Sequence, residues 1–207
     1  FSSIHASSIE DLPNGDLVAV YFGGPGEGKS GTVIRFQRKP LGGKWSKPIV
    51  LGDDGTPSGN KIPCWNPVIY QVPGGNLLFW WKVGPNPAEW WGMMKYSSDN
   101  GHTWSKEQKL GGTSNPTILG PVKNKPVRLA NGDILAGSSR ENRGWVIHVE
   151  RSTDNGATWK FITEIKNGAS KGAIQPSILT YPEGRLQMVA RCRDGKRLIS
   201  TWSTDNG

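Results

Sequence analysis

Two glutamates lie where a carboxyl can serve as an acid. Glu27 sits in the glycine-rich segment "GGPGEGKSG" and Glu141 in "SSREN". A carboxyl at the mouth of a site protonates a departing oxygen when its surroundings raise its pKa; the plainer reading of each is a solvated loop glutamate. His5, in "HASSI", reads as a base, as a hydrogen-bond donor to a ligand, or as a satisfied strand-end histidine. Arg191 carries a planar guanidinium fork that matches a carboxylate bidentately, or else is a solvated strand-end arginine. The segment "WWKVGPNPAEWWG" at 80–92 is rich in tryptophan. Flat aromatics beside polar groups suit the apolar C–H faces of sugars, and packing between elements is the rival use. Trp80 and Trp81 are consecutive, so a strand would turn one inward and the other outward. Trp90 and Trp91 follow a proline-rich loop and are the better candidates for a pocket wall. Lys82, Lys123 and Lys125 either neutralise an anionic ligand or only add to the net charge.

The bulk properties narrow the partners. Lys+Arg number 25 against 17 Asp+Glu, a net charge of +8 that favours anionic partners. The basic residues are spread along the chain without a block, which argues against nucleic acid. No apolar run is long enough to span a bilayer. Cys64 and Cys192 are too few for a disulfide framework and lack ligand spacing. They pair in an oxidising compartment or stay as buried thiols, and the second reading is preferred. His5, His102 and His148 show no zinc pattern, so neither a metal nor a cofactor is expected. The chain opens at Phe1 with no leader pattern, and both ends read as truncated.

Internal repeats specify the elements that carry these residues. "SSDNGHTW" at 97–104 returns as "STDNGATW" at 152–159, and "STDNG" begins again at Ser203; the spacings are 55 and 51 residues. A glycine turn followed by an apolar run recurs independently in "LPNGDLVAVY", "VPGGNLLFWW", "LANGDILAGS" and "YPEGRLQMVA". Its glycines Gly15, Gly75, Gly132 and Gly184 are 60, 57 and 52 apart. Two unlike motifs keeping one period imply two successive hairpins, or four antiparallel strands, per unit. Repeated four-stranded units predict an all-β chain, a β-propeller with one blade per repeat. The expected blades are 5–50, 60–110, 120–165 and 174–207, within one truncated domain 1–207. The first has its motif decayed to "LGGKW".

In the repeated turn, Ser and Asp can bond neighbouring backbone N–H groups, Gly permits a positive φ, and Trp folds an apolar face back over the blade. Ser97, Asp99, Gly101, Trp104, Ser152, Asp154, Gly156, Trp159, Ser203 and Asp205 are therefore read as architecture. The loops lack the ligand density of a calcium site. Ligands of propellers bind near the central axis, at the ends of the first strands of the units. That places "HASSI", "WNPVI", "NKPVRL" and "IQPSIL" at the candidate site.

Ser-x-Asp-x-Gly-x-Thr-Trp resembles the Asp-box, or BNR repeat, of the sialidase (neuraminidase) superfamily. That resemblance implies a six-bladed ring when complete, this chain being a fragment of about four blades, with the boxes on the outer rim. It also implies roles for particular residues. A sialidase blade opens on Glu-Pro, with an Arg about fifteen residues on; here Gln175 takes the Glu position and Arg191 that of the carboxylate-binding Arg. His5-Ala6-Ser7 stands where sialidases have Arg-Ile-Pro, and Glu27 falls near their acid/base Asp. Trp65-Asn66-Pro67 resembles an Asp-Pro pair that contacts sugar substituents.

The departures share a direction: an Arg becomes His5, and two acids become Asn66 and Gln175. Gln175 cannot serve as the base that activates a tyrosine nucleophile, and that tyrosine would belong to later blades. The leading expectation is an exo-α-sialidase-like glycoside hydrolase on an acidic terminal sugar, with Glu27 as acid, Glu141 as second choice and Arg191 as carboxylate clamp. His5 and Gln175 complete the catalytic set, and Asn66, Trp65, Lys82, Trp90, Trp91, Lys125 and Glu141 the binding set. A polysaccharide lyase on a uronate and a non-catalytic glycan-binding propeller are the alternatives. The expected partner is an acidic glycan, and the expected location extracellular or periplasmic.

Overall fold

The computed structural model describes residues 2–56, 61–111, 118–142, 144–165 and 172–207. The first sheet holds β1 (Ser3–Asp11), β2 (Leu17–Gly24), β3 (Val33–Lys39) and β4 (Ile49–Gly52). The second holds β5 (Cys64–Gln71), β6 (Leu77–Val83), β7 (Trp91–Ser97) and β8 (Gln108–Lys109). The third holds β9 (Val127–Arg128), β10 (Ile134–Arg140), β11 (Val146–Ser152) and β12 (Lys160–Glu164). The fourth holds β13 (Ala173–Thr180), β14 (Leu186–Cys192) and β15 (Leu198–Ser203). Strands pair antiparallel in chain order within every sheet, the meander of a propeller blade. The chain divides into two compact units, Phe1–Lys109 with the first two sheets and Leu110–Gly207 with the others.

The first three sheets begin with the same hairpin. Leu12 N–H bonds the Asp16 carbonyl and Gly15 N–H the Leu12 carbonyl; Val72–Asn76 and Leu129–Asp133 repeat the pair of bonds. Gly15 adopts φ +83°, which an L side chain would resist. The mouth-side end of the first strand is equally regular. Counted back from the hairpin, Ala6, Asn66, Lys123 and Gln175 occupy one position, and all are left-handed, with φ of 51°, 41°, 70° and 55°. Three of them lie where strand pairing slips, between His5 and Ser8, Trp65 and Val68, and Ile174 and Ser177. A bulge of this kind re-aims the side chains beside it, and non-glycine residues hold it at a cost of roughly 1–2 kcal/mol each.

The Asp-box turns are self-contained hydrogen-bond knots. Ser97 Oγ donates to Asp99 Oδ1 at 2.7 Å and accepts from Gly101 N–H at 2.7 Å. Asp99 accepts from the Thr103 hydroxyl and the Thr103 and His102 N–H groups. The bonds from Thr103, then that from Ser97, hold the Asp99 carboxyl well below the usual carboxylate range. Ser152–Thr158 repeats the arrangement, and Ser203, Asp205 and Gly207 repeat its first half. The asparagine inside each turn, Asn100, Asn155 or Asn206, is left-handed, a device the motif itself did not single out.

The turns also lock one sheet to the sheet before it. In the first unit, Arg38 pairs with Asp16 at 2.7 Å and donates to the Asn100 carbonyl of the Ser97 turn. In the second, Arg151 lies 4.0 Å from Asp133 and donates to the Asn206 carbonyl at 2.6 Å. Between the sheets of the first unit, Trp104 sets its indole edge-on to Phe36 and Phe79, with centroids 6.0 and 5.9 Å away. Phe79 stacks on Trp81 at 4.8 Å inside a core with Val20, Phe22, Ile34 and Ile69. Trp80 and Trp81 alternate along β6 and are both fully buried. The second unit has its own core of Leu135, Ile147, Val149, Ile178, Leu186 and Met188.

Candidate functional site

In the first unit the bulged ends of β1 and β5 carry His5 and Trp65–Asn66. His5 is exposed, its ring 5.5 Å from Phe22, and its Nδ1 accepts the Ala6 N–H at 2.7 Å. With Nδ1 taken as an acceptor, the neutral imidazole carries its proton on Nε2 and presents a donor. Glu27 is exposed in the loop after β2. That loop folds back on itself through Thr32 Oγ1, which donates to the Gly26 carbonyl at 2.5 Å. It rests on Trp65: a Cβ on Gly28 would stand 3.0 Å from the indole.

The tryptophans and Lys82 are placed otherwise than the sequence suggested. Trp65 is 6% exposed; its Nε1 donates to the Gly84 carbonyl at 2.8 Å, and its ring meets Phe22 and Trp90 edge-on. Trp90 is 8% exposed and closes over Gly84, where an added Cβ would come 2.4 Å from the Trp90 Cα. Trp65 thus supports the Glu27 loop from beneath, and Trp90 packs against Trp65. Trp91 packs on the core of the unit under the Lys109 ammonium, which lies 4.7 Å from its ring. Lys82 is fully buried. Asn66 is buried as well. Of the candidates in this unit, His5 and Glu27 alone are exposed.

In the second unit the bulge at Gln175 is tied to its neighbours. Its N–H donates to Ser139 Oγ at 3.3 Å, and its carbonyl accepts from Asn124 Nδ2 at 2.8 Å. Gln175 is half-buried and Lys125 exposed. Arg191 stands opposite Ile174 in the β13–β14 ladder, and its guanidinium lies 5.3 Å from the centroid of Trp145. Arg193 approaches the same ring at 6.0 Å. Trp145 is left-handed at φ 65°, a strained state for a bulky residue, and its carbonyl is held by the Ala173 N–H at 2.8 Å. Glu141 is half-buried beside this group. Burial pushes its carboxyl above the usual range, opposed by the charge of Arg191, a hydrogen bond from Trp145 and the charge of Arg193.

Trp145 and Arg193 were not among the residues picked from sequence. Arg193 lies just past the end of β14, in the turn that follows, so strand alternation does not single it out. Trp145 carries no signal either, since only the folded hairpin between β10 and β11 brings it to Arg191. A buried pair also escaped notice. His148 Nε2 contacts Glu150 Oε1 at 2.8 Å, and the Glu150 carboxylate accepts the Leu119 and Gly120 N–H groups at 2.8 and 2.7 Å. Both side chains are fully buried, so the pair anchors the segment entering β9 rather than facing a ligand. Cys64 and Cys192 are free buried thiols, and burial pushes the Cys64 thiol far up. Among the described residues no three His, Cys, Asp or Glu side chains converge as a metal site, and no helix is long and apolar enough to cross a membrane.

Known structures share this fold. A protein of unknown function from Dyadobacter fermentans superposes with a TM-score of 0.79 at 16% identity, over 99% of this chain and 66% of that one. The Trypanosoma rangeli sialidase solved with sialic acid gives 0.70 at 17%, over 99% and 36%. The Penicillium chrysogenum α-L-arabinanase solved with arabinobiose gives 0.64 at 23%, over 96% and 62%. The chain thus spans from about a third to two thirds of the length of these proteins. No curated protein matches it. The fold is a sialidase-like β-propeller fold, and the family model described as "BNR repeat-like domain" matches residues 15–207. The chain belongs to the BNR repeat-like domain family.

Proposed function

We propose that this chain is the sugar-recognising part of a sialidase-like glycoside hydrolase acting on an acidic terminal sugar of glycans. The observation that carries this reading is the group formed by Arg191, Arg193, Trp145 and Glu141 in the second unit. Arg191 offers its fork to the sugar carboxylate, Trp145 an apolar face, and Arg193 a second positive charge. Glu141, kept protonated more readily by its burial, is the better placed general acid. Glu27, exposed on its loop, takes the second place that Glu141 held on sequence. The reading extends to the chain as one sialidase-like domain, and to an extracellular or periplasmic setting where terminal acidic sugars are found.

A second reading, a non-catalytic glycan-binding propeller, is favoured by Gln175, an amide where the family resemblance calls for a base. Elimination from a uronate has less support, because the acceptor nitrogen of His5 already takes the Ala6 N–H. The test is calorimetric titration with N-acetylneuraminate, glucuronate and glucose, followed by mass spectrometry of products from sialylated and uronate-containing glycans. Binding of an acidic sugar in preference to glucose is expected, weakened about 10–100-fold by Arg191→Ala as one charged hydrogen-bond pair is lost. Release of sugar with one added water, abolished by Glu141→Gln, supports hydrolysis; binding without product supports the second reading. Equal binding of neutral and acidic sugars, or indifference to Arg191→Ala, would overturn both.

A further inference from the structure

The turn that follows β14 reads Arg193-Asp194-Gly195-Lys196-Arg197 and is strongly basic. Its carboxylate is already engaged. Asp194 Oδ1 accepts the Lys196 N–H at 3.0 Å, and Oδ2 takes Arg197 Nε at 2.8 Å and a terminal guanidinium nitrogen at 2.7 Å. The Lys196 N–H, then Arg197, hold the Asp194 carboxyl well below the usual carboxylate range, so it stays charged and keeps Arg197. At the end of β10, Arg140 pairs with Glu164. Among the described residues no carboxylate forms an ion pair with Arg191 or Arg193. Glu141 feels the charge of both, and as a general acid it carries a proton and offers no counter-charge.

The two arginines nevertheless converge. Arg191 leaves the strand opposite Ile174, whereas Arg193 belongs to the turn, its N–H fixed on the Gly172 carbonyl at 3.1 Å. Gly172 is pressed against Trp145: it adopts φ +73°, and a Cβ there would stand 2.6 Å from the Trp145 carbonyl oxygen. The guanidiniums therefore reach one indole from different elements, at 5.3 and 6.0 Å. A single sugar carboxylate fills one fork and cancels one charge, which leaves the second cation uncompensated.

From this charge count we infer that the site takes a glycan with anionic groups on its last two sugars, Arg191 holding the carboxylate of the terminal sugar and Arg193 the anion of the next. The inference rests on the acidic-sugar reading above and narrows its substrate class. The Trp145 face, near both cations, suits the sugar ring that joins the two anions. A carboxylate or a sulfate supplies the oxygen acceptors that Arg193 requires, and the test separates these two sources.

The chain is titrated calorimetrically with sialyllactose, with a sialic acid dimer, and with sialyllactose sulfated on its galactose. At least one of the two-anion ligands should bind about 10–100-fold tighter than sialyllactose, and which one does so names the second anion. Arg191→Ala should weaken all three. Arg193→Ala should weaken the preferred ligand about tenfold more than sialyllactose, with part of the difference recovered by Arg193→Lys. Lys196→Ala removes the same charge from the same turn and should reduce the preference by less than about twofold. Equal affinity for one- and two-anion ligands, with Arg191→Ala still weakening binding, would overturn the inference and leave the acidic-sugar reading standing. An Arg193→Ala loss that is equal for all ligands would put both arginines on one carboxylate and overturn it too. So would a Lys196→Ala effect as large as that of Arg193→Ala, the mark of diffuse surface charge. Absence of binding by every acidic ligand would overturn the inference and the reading together.

Discussion

Arg191 and Arg193 carry like charges two residues apart, an arrangement that costs energy unless something accepts both. Trp145 provides that acceptor, because the negative face of its indole lies within 6 Å of both guanidiniums. Its left-handed backbone is the strain paid for the placement. Glu141 shows the opposite balance: burial disfavours its charge, and the arginines only partly offset this. A raised carboxyl pKa means that the folded state binds a proton the unfolded state has lost. Stability therefore falls as pH rises from the ordinary value of 4.5 through the raised one. Glu141→Gln cannot ionise, so it should match the parent below pH 4.5 and exceed it at pH 8 in urea melts. Equal stability at both pH values would show that the carboxyl is not desolvated.

The unit of construction at the level of elements is a hairpin, a bulge and a locked turn. The serine of the turn does more than its exposure suggests. Ser97 is 2% exposed, and its hydroxyl receives the Gly101 N–H while binding Asp99. Ser97→Ala leaves that buried N–H without an acceptor and should cost about 1–3 kcal/mol in chemical denaturation. Ser152→Ala should cost as much in the second unit, where Gly156 N–H is the group orphaned. Ser203→Ala should cost less, because Ser203 is half-exposed and water can replace it. A smaller loss at Ser97 than at Ser203 would count against this account of the turn.

For the whole molecule, the division at residue 109 has a physical basis. The first unit holds two complete four-stranded sheets and a continuous core running from Val18 and Phe22 to Phe79 and Trp81. About 110 residues with a core of that kind fall within the ordinary range of independently folding domains. Residues 1–109 expressed alone should therefore give a dispersed amide NMR spectrum and a cooperative melt. A collapsed, poorly dispersed spectrum would mean that the unit needs the rest of the chain.

Much of the fold was legible because it repeats. Two motifs at one period predicted blade-like sheets; alternation predicted one of Trp80 and Trp81 inward and the other outward, whereas both are buried. The Asp-box chemistry could be read because its partners lie within eight residues of each other. The site was far less legible, since its contacts join positions distant in sequence. Nothing local distinguished Trp65 and Trp90, which pack against each other, from Trp145, which faces two guanidiniums. Lys82 read as a possible ligand contact because charge is visible in a sequence and burial is not. Periodicity and local hydrogen bonding are properties of a segment, so the chain alone determined them. Which aromatic meets which cation, and which carboxyl loses its water, depends on what other segments cover, and only the tertiary structure decided that.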